Sequence, residues 1–146
     1  MIPELIDIGS DWNVLPPGIH DATILEVEAC FADNITRKTL FDGFKQGAQA
    51  LKNAGCKTIF LDGSFITEKH YPGDYDACWD LLGVDATKLD PVFLDFSNKR
   101  QKQKLKYCGE FFPSSAKADG VLTFVEYFQK DKSTGKGKGI IRIQLL

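Results

Sequence analysis

The pattern of apolar and polar residues predicts an irregular start followed by a short helix. Residues 1–20 are broken by turn-forming residues and predict an irregular N-terminal arm that lies over the domain. These breakers are Pro3, Pro16, Pro17 and Gly18. Thr23 and Glu26 then form a Thr-x-x-Glu capping box. We therefore expect a helix to begin there and to run to about Phe31.

A second and longer helix is predicted from near Asn34 or Thr36 to Gly55. Its apolar residues recur every three or four positions, as in a helix that packs one face on a core. They are Leu40, Phe41, Phe44, Ala48 and Leu51. Gly43 and Gly47 lower the helix propensity of this stretch, and we expect them to allow close packing on a sheet.

The rest of the chain predicts shorter elements in alternation. Four of them are strands or helices: a buried strand at 58–61, a strand at 92–96 that contains Asp95, a helix at 122–128 and a strand at 140–145. The other segments are a helical turn at 84–91, a basic helix from Ser97 or Asn98 to 106, a loop at 109–119 and a turn at 131–139.

Length and charge narrow the class of protein. With 146 residues and 43% hydrophobic content, the chain is expected to form one domain over residues 1–146. A net charge of −2 does not favour bulk binding of polyanions, so any contact with nucleic acid requires a local basic patch. No secretion signal or membrane span is apparent, and we expect a cytoplasmic protein that does not contact membranes.

The four cysteines predict neither a metal site nor a disulfide framework. They lack the Cys-x-x-Cys spacing, and the two histidines stand apart from them in the sequence. We expect reduced and buried thiols at Cys30, Cys56, Cys78 and Cys108. A catalytic cysteine would require a histidine and an acid close to one of these thiols, and this alternative is the weaker one.

The stretch from Lys57 to Asp80 carries the candidate chemistry. Gly63-Ser64 follows the predicted strand, and a loop then leads to Asp74 and Asp76, which would lie on the same face of a second strand. Two carboxylates so close repel each other unless a cation lies between them. Backbone N–H groups near glycine and the serine hydroxyl can hold phosphates. The alternative is a solvated turn after Pro72-Gly73.

An apolar strand, Gly-Ser, a nine-residue loop, Asp-x-Asp and a further acid on a later strand together resemble the nucleotidyltransferase superfamily, the fold of DNA polymerase β. The resemblance covers Leu51 to Ser97 and implies an α+β fold, a mixed β-sheet with helices packed mainly on one face. It implies that Asp74, Asp76 and Asp95 are catalytic and bind two Mg²⁺ ions. Gly63 and Ser64 would hold the phosphates of a nucleoside triphosphate such as ATP, with Lys69 as the candidate cation.

The same resemblance implies transfer of a nucleoside monophosphate to a protein or RNA acceptor. Small members of the superfamily act in toxin–antitoxin or defence pairs, so a cognate partner protein is expected. A second hypothesis is a non-catalytic, antitoxin-like interaction module on the same scaffold. A third and weaker hypothesis is an RNA-binding protein that uses Lys99 to Lys106 and a second group of lysines, although a solvated helix face is the better explanation of the first cluster. The second group is Lys130, Lys132, Lys136 and Lys138.

Overall fold

The computed structural model describes residues 1–145. These residues form an α+β fold with an open, mixed five-stranded sheet and four α-helices. The strands are β1 (Ile19–Asp21), β2 (Thr58–Asp62), β3 (Asp76–Trp79), β4 (Glu110–Pro113) and β5 (Ile140–Gln144). The helices are α1 (Ile24–Phe31), α2 (Ile35–Asn53), α3 (Ser97–Tyr107) and α4 (Phe124–Phe128). The α+β class expected from the sequence is confirmed.

The sheet order is β1-β5-β2-β3-β4. The two outer pairs, β1 with β5 and β3 with β4, are parallel, whereas β2 pairs antiparallel with both β5 and β3. This order makes β2 the central strand. It also gives β3 one antiparallel and one parallel neighbour, so residues from three distant parts of the chain meet where β3 begins.

The first two helices form where the sequence predicts them, because their signals are local. Thr23 caps α1 by accepting a hydrogen bond from the Glu26 N–H, and the Glu26 carboxylate accepts one from the Thr23 N–H. Asn34 caps α2 in the same way, through the N–H of Arg37. A second capping box, between Thr123 and Glu126, begins α4.

Helices cover both faces of the sheet, and adjacent residues of β4 show which helix lies on which face. A Cβ added at Gly47 of α2 would lie 2.6 Å from the ring of Phe111, so α2 packs directly on the face to which Phe111 points. Phe112 points to the opposite face and stacks on Phe124 of α4, with ring centroids 4.3 Å apart. The close packing on the sheet predicted for the two glycines is therefore present at Gly47, whereas Gly43 packs against the Tyr107 backbone at the end of α3.

Four sequence predictions of local structure are wrong. Residues 92–96 do not form a strand, because Asp90 caps a 3₁₀ turn over Pro91–Leu94 by accepting the Val92 N–H. The predicted loop 109–119 contains β4. This strand has only four residues and forms by pairing with the distant β3, so its own sequence shows no alternation of apolar and polar residues. The second acidic strand begins at Asp76, so Asp74 precedes it. The N-terminal arm ends in β1, which pairs with β5 at the other end of the chain.

All four cysteines are free thiols, but only Cys56 and Cys78 are buried as predicted. Cys30 is exposed on α1, and Cys108 is partly exposed at the end of α3. Within residues 1–145, no helix is both long and apolar enough to cross a lipid bilayer.

Candidate functional site

Three acidic side chains form a row across the sheet where β3 begins. Asp76 is the register partner of Asp62 on β2 and of Glu110 on β4. Directly opposed residues in neighbouring strands direct their side chains to the same face. Sheet pairing therefore brings together carboxylates that are far apart in the sequence, and Glu110 is one that sequence reasoning missed.

Asp76 and Glu110 form a hydrogen-bonded carboxyl pair. Burial, followed by this hydrogen bond and the charge of Asp74, raises the pKa of Asp76 well above its usual range. Burial also tends to raise the pKa of Glu110, but hydrogen bonds with Asp76 and Lys104 outweigh it and lower that pKa. The opposite directions are those of two neighbouring carboxyls that ionise one after the other rather than together.

Asp74 lies beside this pair, at the end of the loop before β3. Its pKa is raised by burial and by the charge of Glu110, and the charges of Lys104, Lys69 and Arg100 act in the opposite direction. Asp74, Asp76 and Glu110 thus influence one another electrostatically. They form the acidic part of the candidate site.

Two basic residues of α3 occupy the outer side of Glu110. Its Oε1 atom accepts from Arg100 Nη2 at 3.2 Å and from Lys104 Nζ at 3.0 Å. Arg100 is also held over the ring of Phe112, 5.1 Å from the centroid, and its buried Nε has no hydrogen-bond partner. The backbone that delivers Arg100 is strained, since Asn98, Lys99 and Arg100 all have φ between 50° and 61°.

The Gly63-Ser64 turn lies directly against Asp76. Gly63 has φ +83°, a conformation that side chains disfavour, and a Cβ there would lie 2.6 Å from Asp76 Oδ2. Only glycine therefore lets the backbone pass this close to the carboxylate. The turn continues into a 3₁₀ segment over Ser64–Ile66, which directs the chain away from the sheet.

Buried Arg37 of α2 holds the loop that follows this turn. Its guanidinium donates to the carbonyl oxygens of Phe65 at 2.6 Å and Thr67 at 2.8 Å, and also to those of Phe31 and Lys69. Because these bonds satisfy the charge with backbone oxygens, the loop is fixed relative to α2. Arg37 positions the loop, a role that no motif in the sequence indicates.

Asp95 is not brought to the other predicted acids. Its Oδ1 accepts from Ser97 Oγ at 2.5 Å and from the Ser97 N–H at 3.1 Å, and its Oδ2 pairs with Lys102 at 3.4 Å. These contacts, with the Ser97 hydroxyl first, lower the pKa of Asp95. The sequence prediction assigned Asp95 to a strand of the sheet, but the Asp90-Pro91 cap produces a 3₁₀ turn, and Asp95 ends that turn at the start of α3.

Two cavities flank the turn, and Ser64 lines both. The first cavity, about 250 Å³, contains Gly63, Asp76 and three lysines of the 130–138 segment. These are Lys130, Lys132 and Lys138, and Trp12 and Tyr127 also line this cavity. The second cavity, about 560 Å³, is lined by Leu40, Lys69, Gly73, Asp74, Lys104 and Cys108. Lys69 therefore faces the second cavity, and its ammonium lies 4.8 Å from the centroid of the Trp12 ring.

Comparison with known protein families gives a match over nearly the whole chain. Residues 6–144 match a family described as "Family of unknown function (DUF6932)". The chain belongs to this family. Curated proteins and solved structures gave no match. What a member of DUF6932 does must therefore be argued from the chemistry of its site.

The acidic residues of this DUF6932 member are of the kind that binds Mg²⁺, but their side chains are not arranged around one position. Carboxylate oxygens are the ligands that Mg²⁺ prefers. Across residues 1–145, however, no three Asp, Glu, His or Cys side chains already share a position suited to a metal. Glu110 instead bonds Arg100 and Lys104, and burial raises the pKa of Asp76, which favours its protonated form. A metal at this position would compete with protons for Asp76 and with the two positive charges that face Glu110.

Proposed function

We propose that this protein is a metal-dependent nucleotidyltransferase that moves a nucleoside monophosphate from a nucleoside triphosphate to an acceptor hydroxyl in the cytoplasm. The observation that supports it most is the Asp76–Glu110 carboxyl pair beside Gly63. The alternative for the Asp-x-Asp motif, a solvated turn, does not explain why Asp76 is buried and hydrogen-bonded to a second acid on the neighbouring strand.

The order of elements also supports the proposal. The superfamily places Gly-Ser after a strand, Asp-x-Asp on a second strand and a further acid on a later strand. Here Gly63-Ser64 follows β2, Asp76 begins β3, and Glu110 begins β4. Asp74, Asp76 and Glu110 would hold magnesium, with Glu110 in the role first assigned to Asp95.

The first cavity is the better place for the triphosphate. Lys132 and Lys138 line this cavity together with the Gly63-Ser64 turn and supply positive charge, and the charge of Lys132 acts on Asp76. Phosphates between them would accept hydrogen bonds from the turn and ion pairs from the lysines. Trp12 or Tyr127 could stack on the base.

Bound magnesium would neutralise the negative charge of the phosphates and stabilise the charge that develops in the transition state. The role of the protein's own residues is to position the reacting groups. Gly63 and Ser64 orient the phosphates, and Asp74 faces the side from which an acceptor can approach. The Asp74 carboxylate can accept a hydrogen bond from an acceptor hydroxyl and so orient it for attack.

The test is a transfer assay with α-³²P-labelled ATP, GTP, CTP or UTP, magnesium, and total RNA and protein from a host extract. We expect a labelled product with the unchanged protein. Asp76→Asn and Glu110→Gln should each reduce labelling by at least about 100-fold, because each removes a carboxylate from the metal site.

Asp95→Asn is the matched control for this assay. Asp95 was predicted from the sequence as the third acid, but its side chain bonds Ser97 and Lys102. We expect Asp95→Asn to retain labelling within about 2-fold, the range of surface substitutions. Labelling that survives the Asp76→Asn/Glu110→Gln double change would refute the proposed chemistry.

A second candidate function is a non-catalytic interaction module, such as the antitoxin of a toxin–antitoxin pair. The observation that favours it is the state of Glu110, which α3 already neutralises through Arg100 and Lys104. Titration calorimetry separates the two functions. The module predicts no heat of nucleotide binding that depends on magnesium, whereas the transferase predicts such heat and its loss in Asp76→Asn.

A function limited to RNA binding through Lys99 to Lys106 receives less support. Four of the basic residues in this stretch face acidic partners: Arg100 and Lys104 face Glu110, Lys102 faces Asp95, and Lys106 faces Asp90. These pairs reduce the positive potential available to a phosphate backbone. The positive potential that remains can be measured from how steeply RNA affinity falls as salt increases.

A further inference from the structure

The first turn of α3 is wound in the left-handed direction. Asn98, Lys99 and Arg100 have φ of 50°, 56° and 61°, with ψ between 35° and 47°. In this conformation the Cβ of an L-residue crowds the following carbonyl oxygen, so residues other than glycine adopt it singly and rarely in succession. Three such residues in a row therefore store strain. Strain of this kind is found mainly at active sites, ligand clamps and switch regions.

The side chain that this turn directs to the acidic site is a cation. Arg100 Nη2 lies 3.2 Å from Glu110 Oε1, and the guanidinium lies over the Phe112 ring. Asn98 and Lys99 are exposed, so burial of their side chains does not offset the strain. The buried Nε of Arg100 has no hydrogen-bond partner, which adds a second cost. The ion pair and the ring contact are therefore what this conformation gains.

The left-handed turn lies between two fixed points of the chain. Before it, Asp95 Oδ1 accepts hydrogen bonds from the N–H and the hydroxyl of Ser97. After it, the buried side chain of Gln103 donates to the carbonyl oxygens of Val92 and Asp95. Gln103 also accepts a 2.8 Å hydrogen bond from the N–H of Phe111 in β4. The residues between these points can change conformation while the rest of α3 stays on the sheet.

We infer that this turn is a switch that closes the acidic site: Arg100 occupies Glu110 in the closed state, and a divalent cation bound by Asp76 and Glu110 displaces Arg100 and releases the turn. This inference rests on the metal site of the proposed function. Arg100 and the metal both require the Glu110 carboxylate, so closing the turn and binding the metal oppose each other by the same factor. Relaxation of the strained turn offsets part of the free energy lost when the ion pair breaks.

Two substitutions of Lys99 test the switch, because both remove the same charge and they differ in backbone preference. Glycine adopts positive φ without strain, so Lys99→Gly should stabilise the closed state. Valine is β-branched and disfavours positive φ, so Lys99→Val should destabilise it. In titration calorimetry with MgCl₂ alone, Lys99→Val should bind Mg²⁺ about 5- to 30-fold more tightly than Lys99→Gly, the factor that corresponds to the cost of one left-handed residue.

Gln101→Gly is the matched control for the glycine substitution. Gln101 is exposed and directly follows the turn, in the right-handed part of α3. A glycine there gives no preference for the closed state. We expect Gln101→Gly to bind Mg²⁺ within about 2-fold of the unchanged protein, the range of surface substitutions.

A double-mutant cycle shows whether the turn acts through Arg100. Arg100→Met removes the charge and should tighten Mg²⁺ binding by about 10-fold. In this background the difference between Lys99→Gly and Lys99→Val should fall to within about 2-fold, because the turn no longer carries the competing charge. Lys104→Met removes the other cation on Glu110, which comes from the right-handed part of α3. It should also tighten binding but leave the difference between the two Lys99 variants unchanged.

NMR measures the turn itself, without relying on metal affinity or catalysis. The three-bond coupling between the amide and α protons depends on φ and separates the two hands of the turn. Without metal, residues 98–100 should show the coupling of positive φ. Addition of MgCl₂ should move these three couplings, and not that of Gln101, towards right-handed values. Lys99→Val should show part of this change before Mg²⁺ is added.

The outcomes distinguish this inference from the function on which it rests. Equal Mg²⁺ affinity of Lys99→Gly and Lys99→Val, or couplings that Mg²⁺ leaves unchanged, overturns the switch and leaves the metal site intact. Mg²⁺ binding that is coupled to the turn, without any nucleotidyl transfer, supports the switch and refutes the proposed reaction. Absence of Mg²⁺ binding in the unchanged protein, in Arg100→Met and in Lys104→Met overturns both.

Discussion

Asp62 is a single residue whose buried surroundings make its charged form unfavourable for folding. It ends β2 with none of its surface exposed; its Oδ1 has no hydrogen-bond partner, and its Oδ2 contacts only the Cys78 thiol, at 3.7 Å. Burial, and then the charge of Asp76, raises the pKa of Asp62 well above its usual value, while Lys138 acts in the opposite direction. Ionised Asp62 therefore disfavours the folded state.

We predict that Asp62→Asn stabilises the protein at pH 7. Because the folded pKa is raised, the folded state binds more protons, and stability falls as pH rises above the unfolded value of about 3.9. Asparagine cannot ionise, so the variant should gain about 1–3 kcal/mol at pH 7 and lose this part of the pH dependence. Urea denaturation at a series of pH values measures both effects.

Asp85→Asn is a control for which we expect the opposite change in stability. Hydrogen bonds from Thr87 lower the pKa of this exposed carboxylate, so its contribution to stability is present at pH 7 and disappears as pH falls through the folded pKa. Asp85→Asn should therefore lower stability at pH 7. An Asp62→Asn variant that is less stable than the unchanged protein at pH 7 would contradict the assignment of an unfavourable buried charge.

At the scale of elements, the contact between α2 and the end of α3 depends on glycine. A Cβ added at Gly43 would lie 2.2 Å from the carbonyl oxygen of Tyr107, which is backbone and cannot rotate away. The same carbonyl accepts a 2.6 Å hydrogen bond from the Tyr75 hydroxyl. Gly43 thus sets the distance between α2 and the segment that leads into β4 and Glu110.

We predict that Gly43→Ala destabilises the protein by about 1–3 kcal/mol, the usual cost of overpacking. In an ordinary helix interior, replacing glycine by alanine has the opposite effect and stabilises the protein by about 1 kcal/mol. Thermal and urea unfolding measure the change. Gln46→Ala, at an exposed position of the same helix, should change stability by less than about 0.5 kcal/mol. Equal stability of both variants would show that α2 can move away from Tyr107.

At the scale of the whole molecule, metal binding is linked to proton release, because the parallel strands β3 and β4 bring Asp76 and Glu110 together. The Asp76 proton must leave before a metal can bind that carboxylate. We therefore predict that Mg²⁺ affinity rises as pH increases above 3.8, the ordinary value for aspartate, and levels off above the raised pKa of Asp76.

Titration calorimetry in two buffers with different ionisation enthalpies tests this coupling. At a pH below the raised pKa, we expect about one proton to be released for each bound ion. Glu110→Gln removes one member of the pair and should weaken metal binding, whereas Asp95→Asn should leave both affinity and proton release unchanged. Metal binding without proton release would contradict the raised pKa of Asp76.

The sequence by itself determined the elements whose signals are local. The capping residues Thr23 and Asn34 and the apolar stripe of α2 predicted the first two helices, and the run from Thr58 predicted β2. It also determined the order Gly-Ser and then Asp-x-Asp, since these residues lie in one continuous stretch. Capping and periodicity act over a few residues, which is why a sequence displays them.

Only the tertiary structure decided which third acid joins Asp76. Asp95 and Glu110 both lie downstream near apolar residues, and the sequence favoured Asp95 because its apolar run resembles a strand. The Asp90-Pro91 cap turned that run into a 3₁₀ segment, and parallel pairing with β3 brought Glu110 to Asp76 instead. Pairing between distant strands depends on the packing of the whole core, so no short stretch of sequence contains it.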